Sequence, residues 1–183
     1  MFFPGIALTP WGVGPIIHIN VGNCGEKGVI VFVGINTLNL DAKGRLAVPV
    51  RYRKELVGPE SAGVVVTVNP YERCLWLYPR DEWQEVARKV ISLPDLKKQN
   101  KSLKRLLLGH ASELELDSQG RILLSASLRE YAGMEKPVAL VGQGNKFEIW
   151  AESAWIATRD DCLETVMPGD ESDLSEDLVN LAL

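Results

Sequence analysis

NTLNLDAKGRLAVPVRYRKEL (residues 36–56) and SELELDSQGRILLSASLREYAG (residues 112–133) are two copies of one pattern. With a shift of 76 positions, Leu38, Leu40, Asp41, Gly44, Arg45, Leu46, Val48 and Arg53 fall on Leu114, Leu116, Asp117, Gly120, Arg121, Ile122, Leu124 and Arg129. Apolar and polar residues alternate into each Asp and again after each Arg. This predicts two short strands per copy, with the apolar side chains sharing one face. Between the strands, the Asp can bond the backbone two residues on and the Gly can take a positive φ, as a tight hairpin turn requires. The Arg after the Gly then sits at the mouth of the turn. Pro49 suits the start of a short helix carrying Tyr52 and Leu56 inward, and Ser125 can N-cap the corresponding helix before Leu128 and Ala132. Gly133 is the expected stop.

The unit continues past that helix. Residues 64–68 and 74–78 predict a second strand pair, with Trp83 five residues after Tyr78. Residues 138–141 and 147–150 repeat it, with Trp155 five after Trp150. One hairpin and one short helix cannot bury both faces alone, so the repeat predicts an α+β fold of two halves packed about a pseudo-twofold axis.

Around this repeat, 183 residues with 46% hydrophobic side chains hold one ordinary domain or two small ones, with enough apolar surface for a core. Cys24, Cys74 and Cys162 are odd in number and far apart. They offer neither a disulfide framework nor metal-ligand spacing, and a reducing cytoplasm fits them best. The net charge of −4 is unevenly placed: from 158 to 183 one base stands against eight acids, a sum of −7, which leaves +3 on the rest. Two stretches of that rest are basic, one with Lys43, Arg45, Arg51, Arg53 and Lys54, the other with Lys97, Lys98, Lys101, Lys104 and Arg105.

Residues 1–25 hold no charged side chain and are broken by Pro4, Pro10, Pro15 and several glycines. They lack both the positive start of a signal peptide and an apolar run of about 18 residues for a membrane helix, so 1–30 reads as an unstructured extension. Residues 58–63 read as a loop. Asp81 is expected to cap a helix with Trp83, Val86, Ala87 and Val90 on one face, ended by residues 92–95. Residues 96–108 predict another helix, stopped by Gly109, whose cations form either a DNA-facing patch or a solvated face. A final helix is expected from about Ala151 through Ile156, Leu163 and Val166 to Pro168 and Gly169. Beyond it Leu174, Leu178 and Leu181, at i, i+4 and i+7 in acidic surroundings, make a short amphipathic segment suited to docking or self-association.

Chemistry is sparse. Asp41 and Asp117 are conceivable as paired catalytic carboxylates, but turn formation plus an ion pair with the nearby Arg explains them with less. His18 and His110 have no partner at metal spacing, and no Ser-His-Asp or Cys-His arrangement is legible. Gly142-Gln143-Gly144 lacks the Lys-Ser/Thr of a phosphate loop and reads as a hairpin turn. Trp83, Trp150 and Trp155 read as core aromatics. A turn bearing Lys43 and Arg45 is, by contrast, narrow enough for a DNA major groove, where Arg can bond guanine O6 and N7 and Lys can hold phosphate. The second turn keeps Arg121 but has Gln119 in place of the Lys. The competing reading is that both arginines only pair with Asp41 and Asp117.

The stretches LNLDAKGRLAVPVRYR, CLWLYPRDEW, KRLLLGHASELELDSQGRILL, LREYAG and LVGQGNKFEIW, in order across residues 32–155, resemble the MraZ family of bacterial transcriptional regulators. The resemblance implies two tandem SpoVT/AbrB-like β-hairpin/helix modules forming a pseudo-twofold, β-barrel-like unit with flanking helices. They would be residues 31–110, including the connecting helices, and 111–166, between the extension 1–30 and an acidic tail 167–183. It implies sequence-specific binding of double-stranded DNA through Lys43, Arg45, Gln119 and Arg121, on turns supported by Asp41, Gly44, Asp117 and Gly120. It further implies a ring-shaped homo-oligomer on direct repeats in the promoter of its own division and cell-wall operon, acting as a repressor. Such a protein is cytoplasmic and nucleoid-associated, without catalytic residues, metal, cofactor, membrane or small-molecule substrate. Ser125 departs from the family's Pro, which the first copy has at Pro49. Val31 stands where the family's chains carry the initiator Met, so a GUG start read as Val is expected, with 1–30 absent from the native protein. The rival expectation is a hairpin-swapped, antitoxin-like interaction scaffold whose acidic tail engages a protein partner.

Overall fold

A computed structural model describes residues 31–57 and 63–166. The expectations for the extension 1–30, the loop at 58–62, Cys24, the Pro168-Gly169 stop and the amphipathic segment after it lie outside the described residues. The first repeat folds as β1 (Ile35–Asn39), β2 (Arg45–Ala47), α1 (Val50–Val57), β3 (Val64–Val68), β4 (Leu75–Pro79) and α2 (Arg80–Ile91), and α3 (Lys98–Leu107) links it to the second. The second folds as β5 (Ser112–Leu114), β6 (Arg121–Leu123), α4 (Ala126–Tyr131), β7 (Pro137–Gly142), β8 (Phe147–Ala151) and α5 (Glu152–Val166).

All strand pairs are antiparallel, in a six-stranded sheet ordered β1-β7-β8-β4-β3-β5 and a two-stranded sheet of β2 and β6. Exchanging each strand for its repeat counterpart reverses the order and leaves it unchanged. At the centre, Trp76 on β4 faces Glu148 on β8, its own counterpart in the repeat. Burying that carboxylate requires donors. The Trp76 indole supplies one at 3.3 Å and the Trp150 indole another at 3.0 Å.

This topology corrects the expected hairpins. The Asp-x-x-Gly turns are present, but the strands they join do not form a ladder with each other; Leu40 and Leu46 share only an isolated bridge. β1 pairs instead with β7 of the second repeat, β5 with β3 of the first, and β2 with β6 across the repeat. The physical reason is burial: Leu40, Leu46, Val48, Ile122 and Leu124 are fully or almost fully buried in one core, which neither repeat could close alone.

Alternation along the strands sorts the core into two layers. Val64, Val66, Leu75, Leu77, Phe147 and Ile149 face inward with Tyr52, Leu56 and Leu128 from α1 and α4. The opposite face is covered by α2 and α3 over Val65 and Tyr78, and by α5 through Ala154 and Trp155 against Ala139 and Trp150. Trp83 and Trp150 are buried as expected, and His110 is structural, its Nδ1 lying 3.0 Å from the Leu106 carbonyl oxygen. Ser125 caps α4 by accepting from the Leu128 N–H at 3.3 Å, and Gly133 follows the helix with φ of 57°. Asp81 does not cap α2: Pro79 takes the cap position two residues earlier, without a side-chain cap, and Asp81 lies in the helix's first turn. Cys74 is buried and Cys162 exposed, both as free thiols. No helix among the described residues is long and apolar enough to cross a membrane.

Candidate nucleic-acid interface

The strand exchange brings the two Asp-x-x-Gly turns side by side. In the first, Asp41 Oδ1 accepts from the backbone N–H of Lys43 at 2.9 Å and of Arg45 at 3.0 Å, while Gly44 N–H donates to the Asp41 carbonyl. In the second, Asp117 Oδ1 accepts from Gln119 and Arg121 N–H at 2.9 and 3.0 Å. Gly44 and Gly120 have φ of 80° and 75°, a region that side chains resist, so the glycines are required by the turn.

The turns are locked reciprocally. Val48 N–H donates to the Gly120 carbonyl and Leu124 N–H to the Gly44 carbonyl. Over each glycine lies an arginine from the other repeat's helix: a Cβ at Gly44 would meet Arg129 Nε at 2.7 Å, and one at Gly120 would meet Arg53 Cζ at 2.1 Å. Both arginines are anchored through Nε, Arg53 to the Val48 carbonyl at 2.9 Å and Arg129 to the Leu124 carbonyl at 3.3 Å. Their support of the turns was not read from sequence, although their matched place in the repeat was the signal for it.

Each turn arginine is held by its aspartate. Arg45 Nε donates to Asp41 Oδ2 at 2.6 Å, and Arg121 reaches Asp117 Oδ2 with Nε at 2.8 Å and Nη2 at 2.7 Å. Arg121 Nη1 also lies 3.8 Å from Asp41 Oδ2, tying the turns together. These donors keep both carboxylates ionised far into acid, each held down to about 2. The Arg45 backbone N–H contributes most for Asp41, and the Arg121 side chain most for Asp117. The ion pairing expected for Asp41 and Asp117 is therefore present. It does not consume Arg45: a guanidinium has five N–H donors, Nε uses one, and the Nη groups have no hydrogen-bond partner among the described residues.

On the β2–β6 ribbon Leu46 and Ile122 point into the core, so Arg45, Ala47, Arg121 and Leu123 share the outward face. Lys43 and Gln119 are exposed at the turn tips. Arg45 and Arg121 thus share one two-stranded ribbon, diagonal to each other, while Lys43 and Gln119 lie on the turns that lead into it from opposite ends. A ribbon of this width enters a DNA major groove, and the free Nη edge of an arginine suits guanine O6 and N7.

Elsewhere, Glu72, Cys74 and Glu148 gather their ligand atoms within 4.8 Å. Burial pushes the Cys74 thiol up to about 12, and both Glu148 oxygens already accept from indoles, so these groups serve the packing of β4 and β8.

A family model described as "MraZ protein, putative antitoxin-like" matches residues 31–106 and 107–165, one segment for each repeat. The chain is 53% identical over 153 residues to a transcriptional regulator MraZ of Halorhodospira halophila, covering 84% of this chain and all of that protein. A protein of the same name from Hydrogenovibrio crunogenus is 47% identical over 155 residues, covering 85% of this chain and all of that protein. One from Shewanella baltica is 50% identical over 136 residues, 74% of this chain and 90% of its own.

Proposed function

Because the chain belongs to the MraZ family, we propose that it is a DNA-binding transcriptional regulator that reads sequence through the β2–β6 ribbon and represses its own operon from direct repeats in the promoter. The observation that carries this reading is the outward face of the ribbon, where Arg45 offers unengaged Nη donors beside Lys43 and next to Arg121. In this reading Arg45 and Arg121 contact base edges, Lys43 and Gln119 contact the backbone, and the aspartates orient the arginines. The two repeats are tandem SpoVT/AbrB-type modules, residues 31–110 and 111–166, closed into a barrel-like unit by the strand exchange, and no catalytic step is involved.

One bidentate arginine is worth about 1–3 kcal/mol of discrimination, too little for selective binding, so several ribbons must act together. A homo-oligomeric ring on repeated boxes meets that need. Its assembly is supported at the sheet edge, where β1 has β7 as its one sheet partner. A regulator of this kind works in the cytoplasm at the nucleoid.

The test is an anisotropy titration of the protein's own promoter against random duplex of equal length and salt. Selective binding that Arg45→Ala reduces supports the reading; equal affinity for both duplexes defeats it. A second reading, a protein-interaction scaffold, draws on Leu123, 53% exposed on the same face opposite Arg45, and it gains if no operator preference is found.

A further inference from the structure

α3 carries a stripe of cations that the described residues do not neutralise. Lys97 at its N-cap, Lys101 and Arg105 are each four residues apart, so they stack along one side of the helix about 6 Å from one another. All three are exposed and have no carboxylate within ion-pair distance among the described residues, whereas Lys104 is answered by Asp95 at 2.7 Å. Just before the stripe in the chain, Ile91 at the end of α2 is 61% exposed and Leu96 in the connection to α3 97%. A surface that combines unpaired cations with bare aliphatic side chains fits an acidic, apolar-spaced peptide.

The chain contains one. Residues 170–183 hold five acids and no base, with Leu174, Leu178 and Leu181 on one side when read as helix and Asp173 and Asp177 a turn apart. They follow α5, which covers the same face of the six-stranded sheet as α2 and α3. The 17 residues after Val166 reach up to about 60 Å when extended, against roughly 24 Å across six strands.

We infer that residues 170–183 dock on the α2–α3 surface of their own chain, acids against Lys97, Lys101 and Arg105 and leucines against Ile91 and Leu96. The inference is independent of the DNA reading, although a docked tail occupies cations that a phosphate would otherwise take.

Carbodiimide crosslinking of the full chain tests it, since the reagent joins a lysine Nζ to a nearby carboxylate as an amide and carries off the water as its urea. At low salt, links from Lys97, Lys98 and Lys101 to the acids between 170 and 177 should dominate. Replacing Leu174, Leu178 and Leu181 by Ser should cut their yield several-fold with every linking group still present. In an equal mixture of 14N and 15N chains refolded together, the linked peptides should carry a single isotope. Links spread evenly over Lys43, Lys54 and Lys136, or unchanged yield in the leucine variant, would overturn the docking. Isotopically mixed links would overturn it in favour of a tail seated on a neighbouring copy.

Discussion

In the Asp41 turn the arginine is held through Nε alone and a lysine stands two residues before it; in the Asp117 turn the arginine gives its aspartate both Nε and Nη2, leans toward Asp41, and follows a glutamine. The backbone of the two turns is the same, down to the hydrogen bonds on each Oδ1 and the positive φ of each glycine. What differs is how much hydrogen-bonding and charge each leaves for a partner. The two turns share one frame, and in the proposed reading the Asp41 turn carries more of the DNA contact than the Asp117 turn, whose arginine is also drawn toward Asp41.

The largest effect expected from that division is on discrimination. Arg45→Ala should cost about 1–3 kcal/mol per engaged ribbon in operator over random DNA, and Arg121→Ala should cost less. Equal losses, read by paired anisotropy titrations, would make the turns equivalent readers. Melting curves must accompany both, because an arginine that only stabilised its turn would lower Tm and leave discrimination intact.

Next comes the shared frame. Gly44→Ala and Gly120→Ala each force a side chain into the left-handed region, at about 1–2 kcal/mol, and each new Cβ must displace an arginine of the other repeat. Calorimetry should show both variants melting a few degrees lower. A drop confined to one variant would show that the locking is not reciprocal. Ser125→Ala removes a cap the first repeat does not use, for about 1 kcal/mol, and thermal melting reads it directly.

The lysine sets a smaller difference. Gln119→Lys should steepen the salt dependence of DNA binding by about 1 in the log–log slope per engaged turn, as one more phosphate contact does. An unchanged slope would mean that this tip does not reach the backbone.

The finest distinction lies in acid. Both aspartates titrate near 2 in the fold against an ordinary 3.8, so what they add to stability is fully present above about pH 4 and is lost as pH falls through 2. Since backbone donation leads for Asp41 and the arginine side chain for Asp117, Arg121→Ala should raise the Asp117 pKa more than Arg45→Ala raises that of Asp41. Carboxyl carbon NMR titrations settle this, and equal shifts would erase the distinction.

Much of this frame was readable before any coordinates. Alternation placed Leu46 and Ile122 inside, Asp and Gly at fixed spacing gave the turns, and Ser125 signalled its cap. The partners of the strands were not readable, because a period of two reports which face a residue occupies and says nothing about which strand lies beside it. The arginine geometry was equally hidden: sequence offers Asp41 as a partner for Arg45, but whether the pair forms through Nε or through the Nη edge decides what remains free. The start of α2 was misplaced by two residues because Pro79, with its φ of −55°, opens the helix without a side-chain cap.

The exchange of strands between repeats also sets a clock on synthesis. Ile35 pairs with Val141 and Arg45 with Leu123, so the first strands leave the ribosome long before the strands that complete them. At roughly 5–20 residues per second, β1 waits on the order of 5–20 seconds with its edges unpaired, the kind of non-local pairing that slows folding and invites wrong partners. During that interval the second half does not yet exist, so the nascent first repeat is free to meet another nascent copy, and the yield of correctly closed chains should fall when many ribosomes crowd one message.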